Sequence, residues 1–234
     1  GSPKNRANLI KNLVAFVKKH NLDGIDMDWE PSWVDDKLEM EKINNNINNH
    51  YLEVVSELRA ALDKEFGKGK KILAGAVMNA NSIWYSEKKQ LSHFPQNKWW
   101  DYFDWVALMN YDNDLAEKHA TYESVFGENG SVAYWHKFGI PKEKIVAGIP
   151  FYGRTNWGEG WVLYSDAVKL RPNLPAAQDT IHHDKDDGQG VKIYGFNGIN
   201  TVAKKVAQAK KEGLAGVMFW QLGGDVEATH AKSL

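Results

Sequence analysis

Short apolar runs alternate along the chain with longer stretches in which apolar residues recur every three to four positions. The short runs lie near residues 24–29, 72–78, 104–110, 145–150 and 214–220. The periodic stretches lie at residues 4–20, 51–66, 121–138 and 201–213. Runs of the first kind predict strands, and stretches of the second kind predict amphipathic helices. Because the two alternate, the pattern predicts an α/β fold built from parallel units.

Three segments carry neither pattern. Residues 36–50 are polar and rich in asparagine, which predicts a loop that leads into the second helix. Residues 155–198 predict irregular structure with short strands, and residues 221–234 predict a loop and a short helix. No internal repeat or low-complexity linker divides the chain, so a single domain over residues 1–234 is expected.

The first predicted strand carries acids at alternate positions. Asp26, Asp28 and Glu30 share one face, about 6.6 Å apart along the strand. The other face carries three apolar residues: Ile25, Met27 and Trp29. Neighbouring carboxylates raise the pKa of at least one of them, and a carboxyl group that is still protonated near neutral pH can act as a general acid. A solvated acidic face or a calcium site would explain the same spacing.

Composition narrows the choice of partners. The net charge is −1, which gives no attraction to nucleic acid or to a membrane surface, and no apolar run is long enough to span a bilayer. The chain has no cysteine, which excludes disulfides. Its 10 Trp and 9 Tyr are explained in part by core packing, and a cleft that stacks sugar rings on aromatic side chains would explain the rest.

The acidic stretch also resembles a known family. Residues 23–30 are similar to the Asp-Gly-x-Asp-x-Asp-x-Glu signature of family 18 glycoside hydrolases, the chitinase family, including the Trp before Glu30. Later segments resemble that family in the same order along the chain. Residues 109–112 resemble its Met-x-Tyr-Asp segment, residues 148–154 the strand that follows, and residues 216–220 its last strand.

The resemblance implies a (β/α)8 TIM barrel of which this chain carries strands 4 to 8, because the family has its acidic motif on strand four. Strands one to three, with the family's Ser-x-Gly-Gly segment, are expected in a preceding stretch or in another chain. The chain starts without an initiator Met or a signal peptide, so a processed product or a fragment is expected. Residues 155–198 are expected to be too short for the α+β domain that deep-cleft members insert, which implies an open cleft and endo-acting cleavage.

The resemblance also implies a retaining mechanism in which the substrate assists. Glu30 would protonate the glycosidic oxygen, and the N-acetyl oxygen of the sugar would then attack the anomeric carbon. Asp28 would hold the N-acetyl N–H, while Asp26 shares a proton with Asp28. Tyr111 would orient the N-acetyl oxygen. Neither a metal nor a cofactor is implied.

Further residues are expected to line the substrate cleft: Trp220 as the floor of the cleavage subsite, with Met109, Asp112, Met78, Tyr152 and Arg154. Three of them have a structural alternative. The alternative for Trp220 and Met78 is core packing, and the alternative for Arg154 is a structural ion pair.

The implied substrate is chitin or another oligosaccharide of N-acetylglucosamine, cleaved at β-1,4 linkages. Two alternatives stay open: an endo-β-N-acetylglucosaminidase that acts on N-glycans, and a non-catalytic chitooligosaccharide-binding lectin. Lectins on this scaffold typically lack the acid at the Glu30 position, so its presence favours an enzyme. A polymeric substrate implies a secreted, cell-surface or periplasmic protein.

Overall fold

The computed structural model of the protein describes residues 2–29, 37–79, 98–113, 119–155, 160–184 and 191–234. Helices in these ranges are α1 (Pro3–His20), α2 (Lys37–Phe66), α3 (Tyr122–Phe126), α4 (Ser131–Phe138), α5 (Tyr164–Leu170) and α6 (Ile199–Glu212). Strands in the same ranges are β1 (Gly24–Asp28), β2 (Ile72–Met78), β3 (Trp105–Met109), β4 (Ile145–Pro150), β5 (Tyr152–Arg154), β6 (Trp161–Leu163), β7 (Thr180–Asp184), β8 (Val191–Gly195) and β9 (Gly216–Trp220).

A parallel sheet of five strands forms the centre of the molecule, in the order β1-β2-β3-β4-β9. These are the five strands that the apolar runs predict, so the α/β prediction is confirmed. Within the described ranges, β1 and β9 each pair with a single neighbour and leave an open edge. The eight-stranded barrel in which these strands would be strands 4 to 8 stays a prediction.

Large side chains cover the outer face of this sheet, beneath the helices. The fully buried ones include four aromatic residues and several leucines: Tyr51, Trp99, Phe103, Trp135, Leu58, Leu62, Leu73 and Leu108. Trp99 contacts both Tyr51 and Phe103 edge to face, with ring centroids 5.6 and 5.7 Å apart. Such contacts add to the hydrophobic stabilisation that burial of the rings provides.

Local sequence signals set the limits of the first helix. The Ser2 hydroxyl accepts a hydrogen bond from the Asn5 amide (3.2 Å), and Pro3 occupies the first turn, where its missing N–H costs nothing. Asn21 ends the helix in the left-handed conformation. Arg6 then pairs with Glu53 (2.7 Å) and Glu57 (2.9 Å), which fastens α1 to α2 beside the acidic strand.

The segment that was predicted to be irregular contributes three of the four strands of a second sheet. This sheet is antiparallel, has the order β6-β5-β8-β7, and starts directly after β4. It has its own buried cluster: Tyr164, Ala167, Val168, Leu174, Ile181, Tyr194 and Phe196. The short strands were expected, but their assembly into one sheet was not. A single domain over residues 1–234 stays a prediction.

Three other predictions of local structure were wrong. The asparagine-rich segment is helical from Lys37, because extending a helix that is already packed costs only the small propensity deficit of each added residue. The helix predicted over 121–138 is divided into α3 and α4 at Gly127 and Gly130. A Cβ atom at either glycine would lie 2.5 Å from a backbone carbonyl oxygen, that of Glu123 or that of Val125. Residues 221–234 contain turns and no helix. No helix of the described ranges is long and apolar enough to cross a membrane.

Candidate active site

The carboxyl ends of the central strands bring the predicted site residues to one rim of the sheet. Asp28 ends β1, Met78 ends β2, Met109 ends β3 and Trp220 ends β9. The register pairs Met78 with Met109 and Pro150 with Trp220. In barrel enzymes this rim is where chemistry takes place.

The two faces of β1 have different surroundings, as the alternation of apolar and acidic residues predicts. Ile25, Met27 and Trp29 pack against the main core, and Trp29 contacts Tyr51 edge to face at 4.9 Å. Asp26 and Asp28 lie on the opposite face, where solvent reaches both side chains. No hydrogen bond or ion pair joins either carboxylate to another of the described residues. Glu30, the predicted general acid, lies outside the described residues.

Both acids of β1 are harder to ionise than an ordinary aspartate. Surrounding protein removes part of the hydration of Asp26 and raises its pKa, and the charge of Asp28 raises it further. Partial loss of hydration also raises the pKa of Asp28. Ionising both of these neighbouring carboxyl groups is therefore less favourable than ionising two ordinary aspartates.

Tyr111 lies just beyond β3, buried at the same rim. Its hydroxyl is 4.0 Å from the sulfur of Met218 on β9. Gly148 on β4 makes room for it, because a Cβ atom there would lie 3.2 Å from the Tyr111 ring and 2.2 Å from the Leu108 carbonyl oxygen. The close approach of β3 to β4 therefore explains the glycine, and it fixes the ring over the end of the sheet.

Asp112, Tyr152 and Arg154 form one cluster beside Tyr111. The Tyr152 hydroxyl donates to Asp112 Oδ1 (2.7 Å), and Arg154 Nε lies 2.5 Å from the same oxygen. Burial raises the pKa of Asp112, while the Tyr152 hydrogen bond and the Arg154 charge act in the opposite direction. Burial and the nearby Asp112 raise the pKa of Tyr152, so this phenol stays a hydrogen-bond donor. The structure thus shows the ion pair that was one of the two alternatives for Arg154.

His119 completes this cluster and was not predicted from the sequence. Its Nδ1 accepts a hydrogen bond from the Asp112 amide (3.1 Å), and its ring lies 4.9 Å from that of Tyr152. Burial, and then the Arg154 charge, lower the pKa of His119 to about 3, so the imidazole is neutral. The histidine stands in a polar connection without periodicity, and a single sequence holds no signal that would have found it.

The remaining predicted cleft residues differ in exposure. Met78 is half-buried, packs against the main core, and its carbonyl oxygen accepts from the Trp135 indole (3.1 Å), as its packing alternative describes. Met109 packs against the cluster of Tyr111 and Tyr152. Trp220 is 54% exposed, which the packing alternative does not explain, and its peptide bond to Gln221 is cis.

The described residues contain no group of three or more His, Asp or Glu side chains arranged to hold a metal ion. What they contain is a parallel sheet whose carboxyl rim carries two poorly ionised carboxyl groups, a buried tyrosine and an exposed tryptophan. That combination is typical of α/β proteins that carry a polar site at the carboxyl ends of parallel strands. Residues 1–225 match the sequence model of the family "Glycosyl hydrolases family 18", and the chain belongs to that family.

Individual relatives are similar at moderate identity. A class V chitinase of Lotus japonicus is 26% identical over an alignment that covers 99% of this chain and 64% of the relative. The solved family 18 chitinase from the chitin utilization locus of Flavobacterium johnsoniae is 28% identical, with a TM-score of 0.69, over 96% of this chain and 62% of that one. The chain therefore spans somewhat less than two thirds of the length of these relatives.

Two further solved structures share the fold. A chitinase-like agglutinin from Robinia pseudoacacia has a TM-score of 0.72 at 22% identity, over 97% of this chain and 70% of that one. A chitinase domain from Ostrinia furnacalis, solved with a bound chitooligosaccharide, has a TM-score of 0.69 at 19% identity, over 96% of this chain and 66% of that one. Homologues of this family thus bind chitooligosaccharides, and the fold occurs in an agglutinin as well as in chitinases.

Proposed function

We propose that the protein is a chitinase that cleaves β-1,4 linkages between N-acetylglucosamine units by a retaining, substrate-assisted mechanism. One observation carries the proposal: Asp26 and Asp28 lie side by side on the water-accessible face of β1, at the rim, with raised pKa values and no partner among the described residues. Carboxyl groups kept in this state cost stability, which is typical of a functional site.

In the proposed mechanism, Glu30 protonates the glycosidic oxygen as the carbonyl oxygen of the substrate's own N-acetyl group attacks the anomeric carbon. The bond to the leaving sugar breaks and an oxazolinium ion forms. Asp28 accepts the N-acetyl N–H and stabilises the positive charge, and a proton shared with Asp26 allows Asp28 to ionise when that charge develops. Tyr111 donates to the N-acetyl oxygen. Water then opens the ring with Glu30 as base, so the anomeric configuration is retained.

The binding surface in this proposal extends along the rim. The exposed indole of Trp220 offers an apolar face on which a sugar ring stacks. Trp161 on β6 is 61% exposed and stands directly opposite Arg154 in the antiparallel pair, so both side chains share one face of the second sheet. A surface of this kind suits an oligomer or polymer, and endo-acting cleavage of a polymer implies that the protein works outside the cell.

We further propose that the five parallel strands are strands 4 to 8 of a (β/α)8 barrel and that further β/α units close its open edges in the active protein. The support is apolar surface at both edges: Phe16 of α1 is 52% exposed and Phe219 of β9 is 46% exposed. Open strand edges with apolar side chains promote association, and natural sheets rarely leave them uncovered.

Following the hydrolysis of chitohexaose by ¹H NMR tests the proposed function. Retention predicts that the newly formed reducing ends appear first as the β-anomer and then mutarotate. First appearance of the α-anomer would contradict the substrate-assisted mechanism. Binding of chitohexaose without turnover would contradict the enzyme and support the lectin, whose fold the agglutinin shares.

A further inference from the structure

A buried lysine on α6 donates a hydrogen bond to the main chain at Ala120, beyond the tyrosine of the site. Lys205 is fully buried, and its Nζ donates to the Ala120 carbonyl oxygen (2.8 Å) and to Asn197 Oδ1 (2.6 Å). Asn197, itself buried between β8 and α6, donates from Nδ2 to the same Ala120 oxygen (2.8 Å). Asn197 and Lys205, which lie 77 and 85 residues after Ala120, therefore both donate to its carbonyl oxygen.

That carbonyl group belongs to the residue next to His119. The His119 ring accepts from the Asp112 amide (3.1 Å), and its carbonyl oxygen accepts from the Asn113 amide (3.1 Å). Asp112 has a φ of 63°, in the left-handed region that residues other than glycine adopt uncommonly. The two hydrogen bonds that His119 accepts from the Asp112 and Asn113 amides restrain the backbone directly after Tyr111.

Burying Lys205 costs free energy because the amine loses its hydration, so its hydrogen bonds are expected to have a role that offsets this cost. Loss of hydration lowers the pKa of Lys205 to about 7, although the charge of Asp179 opposes the shift. A neutral amine still has two N–H donors, which equals the number of acceptors that Lys205 contacts. A methionine would fill the same space without this cost, but it would leave the Ala120 and Asn197 oxygens with fewer donors.

We propose that Lys205 and Asn197 are positioning residues that act through Ala120 and His119 to hold Asp112 and Tyr111 in place for catalysis. This inference rests on the proposed function. Neither residue touches substrate. Together they connect α6 and the end of the second sheet to the rim of the central sheet, so the second sheet supports the site as well as flanking it.

The test compares Lys205→Met with Lys210→Met, which removes an exposed lysine from the same helix. The first readout is amide hydrogen exchange, which does not depend on activity. Lys205→Met is expected to raise the exchange rates of the Asp112 and Asn113 amides about tenfold, while the amides of β4 keep their wild-type rates. Wild-type rates at Asp112 and Asn113 in a folded Lys205→Met protein would overturn the proposal.

The second readout separates positioning from a merely structural role. Chitohexaose hydrolysis by Lys205→Met is expected to show kcat about tenfold lower with KM within about twofold, and Lys210→Met to match wild type. An unchanged kcat beside a lowered Tm would mean a structural role and overturn the proposal. If Lys205→Met does not fold, Asn197→Ala is judged by the same criteria.

The two readouts keep this inference distinct from the proposed function. If the wild-type protein does not hydrolyse chitohexaose, the proposed function fails, but the exchange rates still decide whether Lys205 holds the segment. If the wild type is active and Lys205→Met leaves both kcat and the exchange rates unchanged, only the positioning role fails.

Discussion

The two groups of carboxylates at the rim are built in opposite ways. Asp26 and Asp28 stand on an open strand face without a described partner, whereas Asp112 receives a phenol hydrogen bond and a guanidinium charge. Burial is the largest cause of a raised pKa in both places. An acid whose acceptor sites are already occupied holds structure, while acids without partners are available to a substrate. In the proposed function, chemistry therefore belongs to β1 and positioning to the cluster of Asp112.

The largest effect is expected from Asp28→Asn. Removing the carboxylate that faces the developing charge should lower kcat for chitohexaose by about 10²- to 10³-fold with little loss of stability. Steady-state kinetics and thermal unfolding measure the two quantities. Asp101→Asn, at an exposed site on the outer side of the sheet, is the control and should match wild type. Full activity of Asp28→Asn would contradict the catalytic role proposed for the acids of β1.

Tyr111→Phe should lower kcat by about 10²-fold, because it deletes one donor to the N-acetyl oxygen and keeps the ring. The ring packs beside Gly148, so the variant is expected to fold normally. The measurement is kcat at saturating chitohexaose, and a change confined to KM would contradict the orienting role.

Arg154→Met should act on stability. The variant leaves the half-buried Asp112 carboxylate without its guanidinium partner and with the Tyr152 hydroxyl as its hydrogen-bond donor among the described residues. We therefore expect the free energy of unfolding to fall by about 2 kcal/mol. Urea denaturation measures it. Arg171→Met, which removes an exposed arginine, should change the value by less than about 0.5 kcal/mol. An equal change in the free energy of unfolding for the two variants would contradict a stabilising role of the Asp112 cluster.

Asp26→Asn should have a smaller effect on stability than Arg154→Met, and the opposite sign. Since the pKa of Asp26 is raised above its ordinary 3.8, the folded protein binds more protons than the unfolded chain just above that pH. Wild-type stability therefore falls as the pH rises through the window between the ordinary and the raised pKa. The variant should raise Tm by about 1–2 °C at pH 7 and leave it unchanged at pH 3. A lower Tm at pH 7 would mean that Asp26 is a structural acid.

Sequence patterns predicted the part of the fold that depends on local periodicity. The five parallel strands and the two faces of β1 follow from apolar runs and from strict alternation, because strand geometry turns sequence spacing directly into orientation. The family motif also pointed to Tyr111, Asp112, Tyr152 and Arg154 as one region.

What could not be predicted depends on contacts between distant residues. Lys205 follows another lysine in a helix rich in lysine, and nothing in that pattern marks it as buried beneath a carbonyl group 85 residues earlier. His119 lies in a connection without periodicity. Strands as short as Tyr152–Arg154 and Trp161–Leu163 carry too few positions for alternation to be recognised, and only their pairing makes them a sheet.

Hydrolysis of unmodified chitohexaose by the protein and by its Glu30→Gln variant tests the central claim most directly. The amide keeps the size of the carboxyl group but cannot deliver its proton. A glycosidic oxygen without an activated leaving group needs that proton, so turnover should fall by about 10³-fold while chitohexaose still binds. Undiminished turnover in Glu30→Gln, or no turnover in the wild-type protein, would contradict the account.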